Sequence, residues 1–212
     1  MTNGFTACRY YTDYADYRIP IDTINYLSWK MPLYNQRVKN TAGNKSGVSF
    51  SMNYQDKKVN SWIHISDVYG KNGFFPGAHG IPDISRLKHD GNFRNVEMPY
   101  SWSNHLKFTN NTKIKLVEYI LHFDLGFQQN HRQELSVFHT HYANQQPPKE
   151  NPDLELEFRL NTLSSNINYT KDITSNYHSE IGISIEFQLN KVNGYSFATK
   201  LQSQIAGNIL GK

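Results

Sequence analysis

Apolar residues recur at every second position in several separate stretches of this chain. In GVSFSMNY, Val48, Phe50, Met52 and Tyr54 alternate with Ser49, Ser51 and Asn53. A period of two puts alternate side chains on opposite faces of an extended backbone, so the pattern specifies a two-faced strand and disfavours a helix. KVNSWIHIS reads as its partner across the polar turn at Gln55-Asp56-Lys57. Leu154, Leu156, Phe158 and Leu160 line a further strand, with Asp153, Glu155, Glu157 and Arg159 facing away. Ile181, Ile183, Ile185, Phe187 and Leu189 line another, followed by the hairpin signal Asn193-Gly194. In TKIKLVEYILHFDLGF, Val117, Tyr119, Leu121, Phe123, Leu125 and Phe127 share one face. That length predicts one long bent strand or two strands in series, with Leu135 to His141 as the next strand.

About eight to ten short strands joined by polar turns predict an all-β fold, an antiparallel β-sandwich of jelly-roll type. A single domain over residues 1–212 accommodates them. Residues 1–40 form an N-terminal arm that is extended or partly helical. Tyr10, Tyr14 and Tyr17 have helical spacing, and Pro20 would stop such a helix. Residues 200–212 form a short C-terminal tail, in which the spacing of Leu201, Ile205 and Ile209 favours a short helix. The glycine- and proline-rich YGKNGFFPGAHGIPD is a long loop, and its glycines do not match a phosphate-binding pattern.

Composition narrows the function classes. Apolar residues make up 38% of the chain while aromatics reach 14%, with 14 tyrosines, so large rings must supply much of the packing and contact area. The formal net charge of +4 is spread over dispersed basic residues, which gives no strong nucleic-acid signal. The single cysteine, Cys8, excludes an intrachain disulfide framework. No run of about 18 apolar residues is present, so no membrane-spanning helix is expected and the chain reads as soluble, cytoplasmic or carried in a virion.

Two stretches have the residue types of a chemical site. On a strand, His139 and His141 project to one face, a spacing at which two imidazoles can share zinc or another divalent metal. Glu134, His122, His131 and Asp153 are the nearest sources of a third ligand. FHTHY resembles the His-x-His segment of the JAB/MPN metalloproteases. The pattern breaks where Tyr142 replaces the family's proline and where Lys149 and Pro152 occupy the places of its serine and aspartate. In DLELEF, Asp153, Glu155 and Glu157 fall at alternate positions, and paired carboxylates on one face are the machinery of glycoside hydrolysis. The spacing resembles the acidic strand of family 16 glucanases, with the first two carboxylate types exchanged. Among Trp29, Trp62 and Trp102, Trp62 lies within a strand and suits stacking on a sugar ring.

Without a complete catalytic constellation, the expected function is non-enzymatic. The chain reads as a structural or assembly protein such as a jelly-roll capsid, vertex, fibre or tail component, forming a homo-oligomer or larger protein assembly and carrying no cofactor. A carbohydrate-binding or glycoside-hydrolysing sandwich, with glycan as partner, and a metal-dependent hydrolase using the His-x-His pair are the alternatives.

Overall fold

The computed structural model describes residues 2–26, 29–76, 89–140, 143–174, 177–195 and 200–211. It is built from ten strands: β1 (Thr2–Tyr14), β2 (Thr23–Tyr26), β3 (Trp29–Pro32), β4 (Gly43–Gln55), β5 (Val59–Gly73), β6 (Tyr100–Lys115), β7 (Tyr119–Leu135), β8 (Leu154–Thr174), β9 (Tyr177–Asn193) and β10 (Lys200–Gly211). Eight of them make one sheet in the order β1-β4-β5-β6-β7-β8-β9-β10, and β2 and β3 pair separately. Every pairing is antiparallel. The all-β expectation holds. The connections form a meander of spatial neighbours, whereas a jelly roll is wound from Greek keys. Among the described residues no helix is long and apolar enough to cross a membrane.

Several local expectations change. Residues 2–14 are neither helix nor free arm. They pair along their whole length with β4, from Thr2 opposite Gln55 to Tyr14 opposite Gly43. Of the one long bent strand or two strands in series expected across Val117, two strands are found, folded back on each other as a hairpin. β6 ends at Lys115, the chain turns over Leu116–Glu118, and Val117 stands fully exposed at the tip. Nothing in that turn carries glycine or proline, so periodicity alone ran through it. The tail is strand β10. Leu201, Ile205 and Ile209 are four apart, a spacing that suits one helix face and one strand face equally, and the open edge of β9 decided between them.

The connections are strongly asymmetric. Residues 56–58 and 116–118 join strands at one end of the sheet, the end at which β8 stops and β9 starts. Residues 15–42, 74–99 and 136–153 all leave from the opposite end. The buried apolar residues Met31, Ala42, Leu154 and Tyr195 lie at that long-loop end, and the largest fully buried side chains, Asn40 and Asp16, are polar. Asp16 accepts hydrogen bonds from the Thr41 and Ala42 amides at 2.7 and 2.9 Å and meets His89 Nε2 at 2.8 Å. Asn40 donates to the carbonyls of Phe74 and Pro99, both at 2.8 Å, and accepts from the Glu97 amide at 2.8 Å. These bonds fasten the connections 15–42 and 89–99 into a cap over β4, β5 and β6. Among the described residues, none of the buried apolar side chains packs mid-way along the eight-stranded sheet.

Candidate functional site

Because residues opposite each other in an antiparallel ladder share a face, the registers sort every strand residue onto one of two surfaces. One row reads Ala7, Phe50, Ile65, Phe108, Phe127, Leu163, Phe187 across β1 to β9, with Ile205 in register on β10. Neighbouring rows on that face contribute Phe5, Val48, Met52, Leu121, Phe123, Leu125, Ile167, Ile181, Ile183, Ile185 and Leu189, interspersed with Arg9, Ser61, Asp67, Asn110, Thr112, Gln129, Asn161 and Ser165. The opposite face contributes Ser49, Ser51, His64, Lys107, Thr109, Asp124, Gln128, Ser164, Asn166, Asn168, Ser184, Glu186 and Gln188.

Burial is inverted relative to a water-soluble sheet. Val48, Phe50 and Met52 are exposed at 53, 40 and 44%, and Ile181, Ile183 and Ile185 at 58, 49 and 57%. Ser49, Ser51, Asn53, Ser164, Asn166 and Ser184 are less exposed than these neighbours. His105 Nε2, Thr162 Oγ1 and Asn190 Oδ1 are buried on the polar face. Several polar residues of that face are thus less exposed than the apolar residues on the other, while Trp62, Lys107 and Glu186 of the polar face remain exposed. A side chain at Gly47 would meet the Tyr10 ring at 2.5 Å, and one at Gly126 would meet Ser164 Oγ at 2.5 Å, so neighbours lie across the bare backbone there. Cross-strand bonds lace the same face, with Asn111 donating to Asp124 at 2.7 Å, Ser51 Oγ 2.7 Å from His64 Nδ1, and Ser184 donating to Asn166.

The apolar band is bounded by aromatics. Toward the short-turn end Tyr54, Tyr119, Tyr169 and Tyr177 share its face, Tyr119 and Tyr169 packing 5.2 Å apart. Toward the long-loop end stand Tyr69 and Trp102, stacked at 6.1 Å, and Tyr100, over whose ring Lys71 Nζ sits at 4.1 Å. Beyond them the face turns polar. Trp102 Nε1 donates to Gln133 at 3.1 Å, and Gln133 donates to Glu157 at 2.9 Å. His131 Nε2 lies 2.6 Å from the same carboxylate. Burial alone would raise Glu157, but the hydrogen bonds from Gln133 and His131 outweigh it and hold the carboxyl below its ordinary range.

The residues singled out from sequence do not converge. Trp62 lies exposed on the polar face of β5, its ring 5.4 Å from His64 and nearly parallel. Glu157 lies on the apolar face of β8, in register with Gln133. Asp153, Glu155 and Glu157 lose their shared face to a bulge. Leu135 pairs with Leu154 while Glu134 pairs with Leu156, which leaves Glu155 as the extra residue, and Asp153 precedes the strand. His139 is not on a strand, because β7 ends at Leu135 and only the Ser136 amide, bonded to the Asp153 carbonyl at 2.9 Å, continues the ladder. Its ring stands edge-on to Tyr195 at 5.7 Å. His141 lies outside the described residues. Among the described residues no three of His, Cys, Asp and Glu gather to hold a metal. What periodicity did not reveal is the surface itself, which only the register assembles.

No family model matches the chain, no curated protein matches it significantly, and no solved structure has a significantly similar fold.

Proposed function

We propose that this chain forms the wall of a membrane-spanning β-barrel. Its apolar face meets lipid, its polar face turns toward an aqueous or polar interior, and its long connections cap one mouth. The observation that carries the reading is an exposed apolar band, edged by aromatics, on a meander whose other face is polar and at several positions less exposed. In hydrocarbon every backbone polar group must be paired, which strands achieve only in a closed ladder. Eight strands are the smallest number common in such barrels, and short turns at one rim with long loops at the other are their usual form. β1 and β10 are the two edges, and they must meet each other or further strands.

Dimensions agree. From Ile181 to Leu189 the apolar run of β9 covers about 27 Å along the strand, or about 20 Å of height at a tilt near 40°. On β8, Lys171 and Arg159 bracket Tyr169 to Leu163 on the same face. That charge-to-charge span is about 40 Å along the strand and about 30 Å of height, close to a bilayer's hydrocarbon thickness. Tyrosines at both edges, with Trp102 at the long-loop edge, suit the two interfaces. The reading assigns no chemistry to the polar clusters; the barrel acts by spanning, by presenting its cap, and by what its interior admits.

The non-enzymatic assembly role, such as a capsid, fibre or tail component, has the same uncovered face in its favour, since a second copy can cover it. The membrane reading is preferred because apposition of two copies requires neither the aromatic edges nor the one-sided loops. Refolding the full chain with phosphatidylcholine vesicles tests it. The chain should float with the vesicles after a carbonate wash, and protease should cut the long-loop cap while sparing the strands. A protein that stays in the aqueous fraction as a discrete dimer or larger shell would refute the membrane reading and favour assembly.

A further inference from the structure

Arg159 and Lys191 stand directly opposite each other on β8 and β9, on the apolar face. Both are exposed. Like charges at directly opposed positions destabilise a ladder unless something anionic lies between or above them. Among the described residues the carboxylate beside Arg159 is that of Glu157. Its carboxylate already takes the Gln133 amide, meets His131 Nε2 at 2.6 Å, and lies 3.6 Å from Arg159. The register partner of Glu157 on β9 is Asn193, while Lys191 has Leu201 in register on its other side. His131 stands opposite Arg159 on β7, with Arg159 Nη2 3.4 Å from its ring. One carboxylate thus meets Arg159 and the His131 imidazole, while Lys191 stands opposite Arg159, so the two permanent cations outnumber the one anion beside them.

Position gives the surplus a meaning. Lys191 follows Leu189 as the next residue on the same face of β9, so the two cations begin where the apolar band ends. They share the long-loop boundary with Tyr69 and Trp102, and Trp102 packs edge-on to His131 at 4.7 Å. In a membrane this is headgroup depth, where the nearest anions are lipid phosphates. Guanidinium offers a phosphate two parallel donors and ammonium offers a point charge. We propose that Arg159 and Lys191 together hold the phosphate of an anionic phospholipid on the long-loop side of the bilayer. The inference rests on the membrane reading and adds a lipid partner to it.

The full chain is refolded into vesicles of phosphatidylcholine alone and of phosphatidylcholine with phosphatidylglycerol, and urea unfolding is followed in each. Each cation near an anionic surface is worth about a fivefold preference, so the pair should favour the folded state on the order of 25-fold in the anionic vesicles at low salt. Arg159→Gln with Lys191→Gln should abolish that preference, and raised salt should weaken it. Lys57→Gln with Lys58→Gln, at the opposite rim, should leave it in place. Entry into both vesicles with no anionic preference would overturn this inference alone. So would a preference that survives in the Arg159→Gln, Lys191→Gln protein, or one reproduced by adding inorganic phosphate to neutral vesicles. Failure to enter either vesicle would overturn the membrane reading, and this inference with it.

Discussion

Ile185 and Glu186 are neighbours on β9 that face opposite sides of the sheet, and they separate the possible environments of those sides. Ile185 lies mid-way along the run from Ile181 to Leu189, is 57% exposed, and has Ser165 and Gly207 in register. If lipid covers it, Ile185→Arg places a guanidinium near the bilayer midplane, at a cost of about 2–4 kcal/mol. That corresponds to roughly a 30- to 700-fold shift in the folding equilibrium. Glu186 is exposed on the polar face and accepts from Gln188 at 2.7 Å, so Glu186→Arg loses one exposed bond and should cost under about 1 kcal/mol. The assay is urea unfolding of both variants in phosphatidylcholine vesicles, followed by intrinsic fluorescence. If water bathed the apolar face, arginine at a half-exposed position would cost little, and the two variants would behave alike. Equal effects, or a neutral Ile185→Arg, would refute the assignment of the apolar face to lipid. A large cost seen without lipid, accompanied by dissociation of a dimer, would transfer the same face to a second copy.

Asp16→Ala removes the acceptor for two buried amides and for His89. Each orphaned amide costs about 1–3 kcal/mol, and limited proteolysis should show cutting within 15–42 and 89–99 while the strand signal in circular dichroism persists. Gly194 has φ +114° and its added Cβ would run into the Glu155 carbonyl, so Gly194→Ala should destabilise by about 2–4 kcal/mol in urea. Gly4→Ala, which meets nothing within 4 Å, should be silent in the same assay. The Tyr195 hydroxyl is pushed up to about 12, chiefly by burial, with Glu155 and Asp153 adding to the rise and Ser136 opposing it. Its raised value contributes stability that is whole below the ordinary tyrosine range and is lost as pH climbs through about 12. Ultraviolet titration should therefore show a late-ionising tyrosine that disappears in Tyr195→Phe, and a titration without that late step would contradict it. The lowered Glu157 works in the other direction. Its contribution is present above the ordinary carboxylate range and fades as pH falls through its lowered value, so Glu157→Gln should be less stable than the parent at neutral pH and converge with it in acid. A gap that persists in acid would point to lost hydrogen bonding instead of lost charge.

The strands were legible in the residues, and so was the polar turn between β4 and β5. Alternation at Val48–Tyr54 and Ile181–Leu189 leaves an extended backbone as the economical way to segregate apolar from polar side chains. Register was not legible. The turn at Leu116–Glu118 carries apolar residues where a turn usually carries glycine or asparagine, and the bulge at Glu155 shifts Asp153 and Glu155 off the face that strict alternation assigned them. The candidate surface was hidden for a deeper reason. Alternation records that a strand has one oily and one polar side, and it is the same whether the oily side meets another sheet or meets lipid. The sequence by itself therefore determined an antiparallel, two-faced β protein. Only the tertiary structure decided the register, the hairpin at Leu116–Glu118 and the exposure of the apolar residues, because these depend on how eight strands pair across the sheet and on what covers each face.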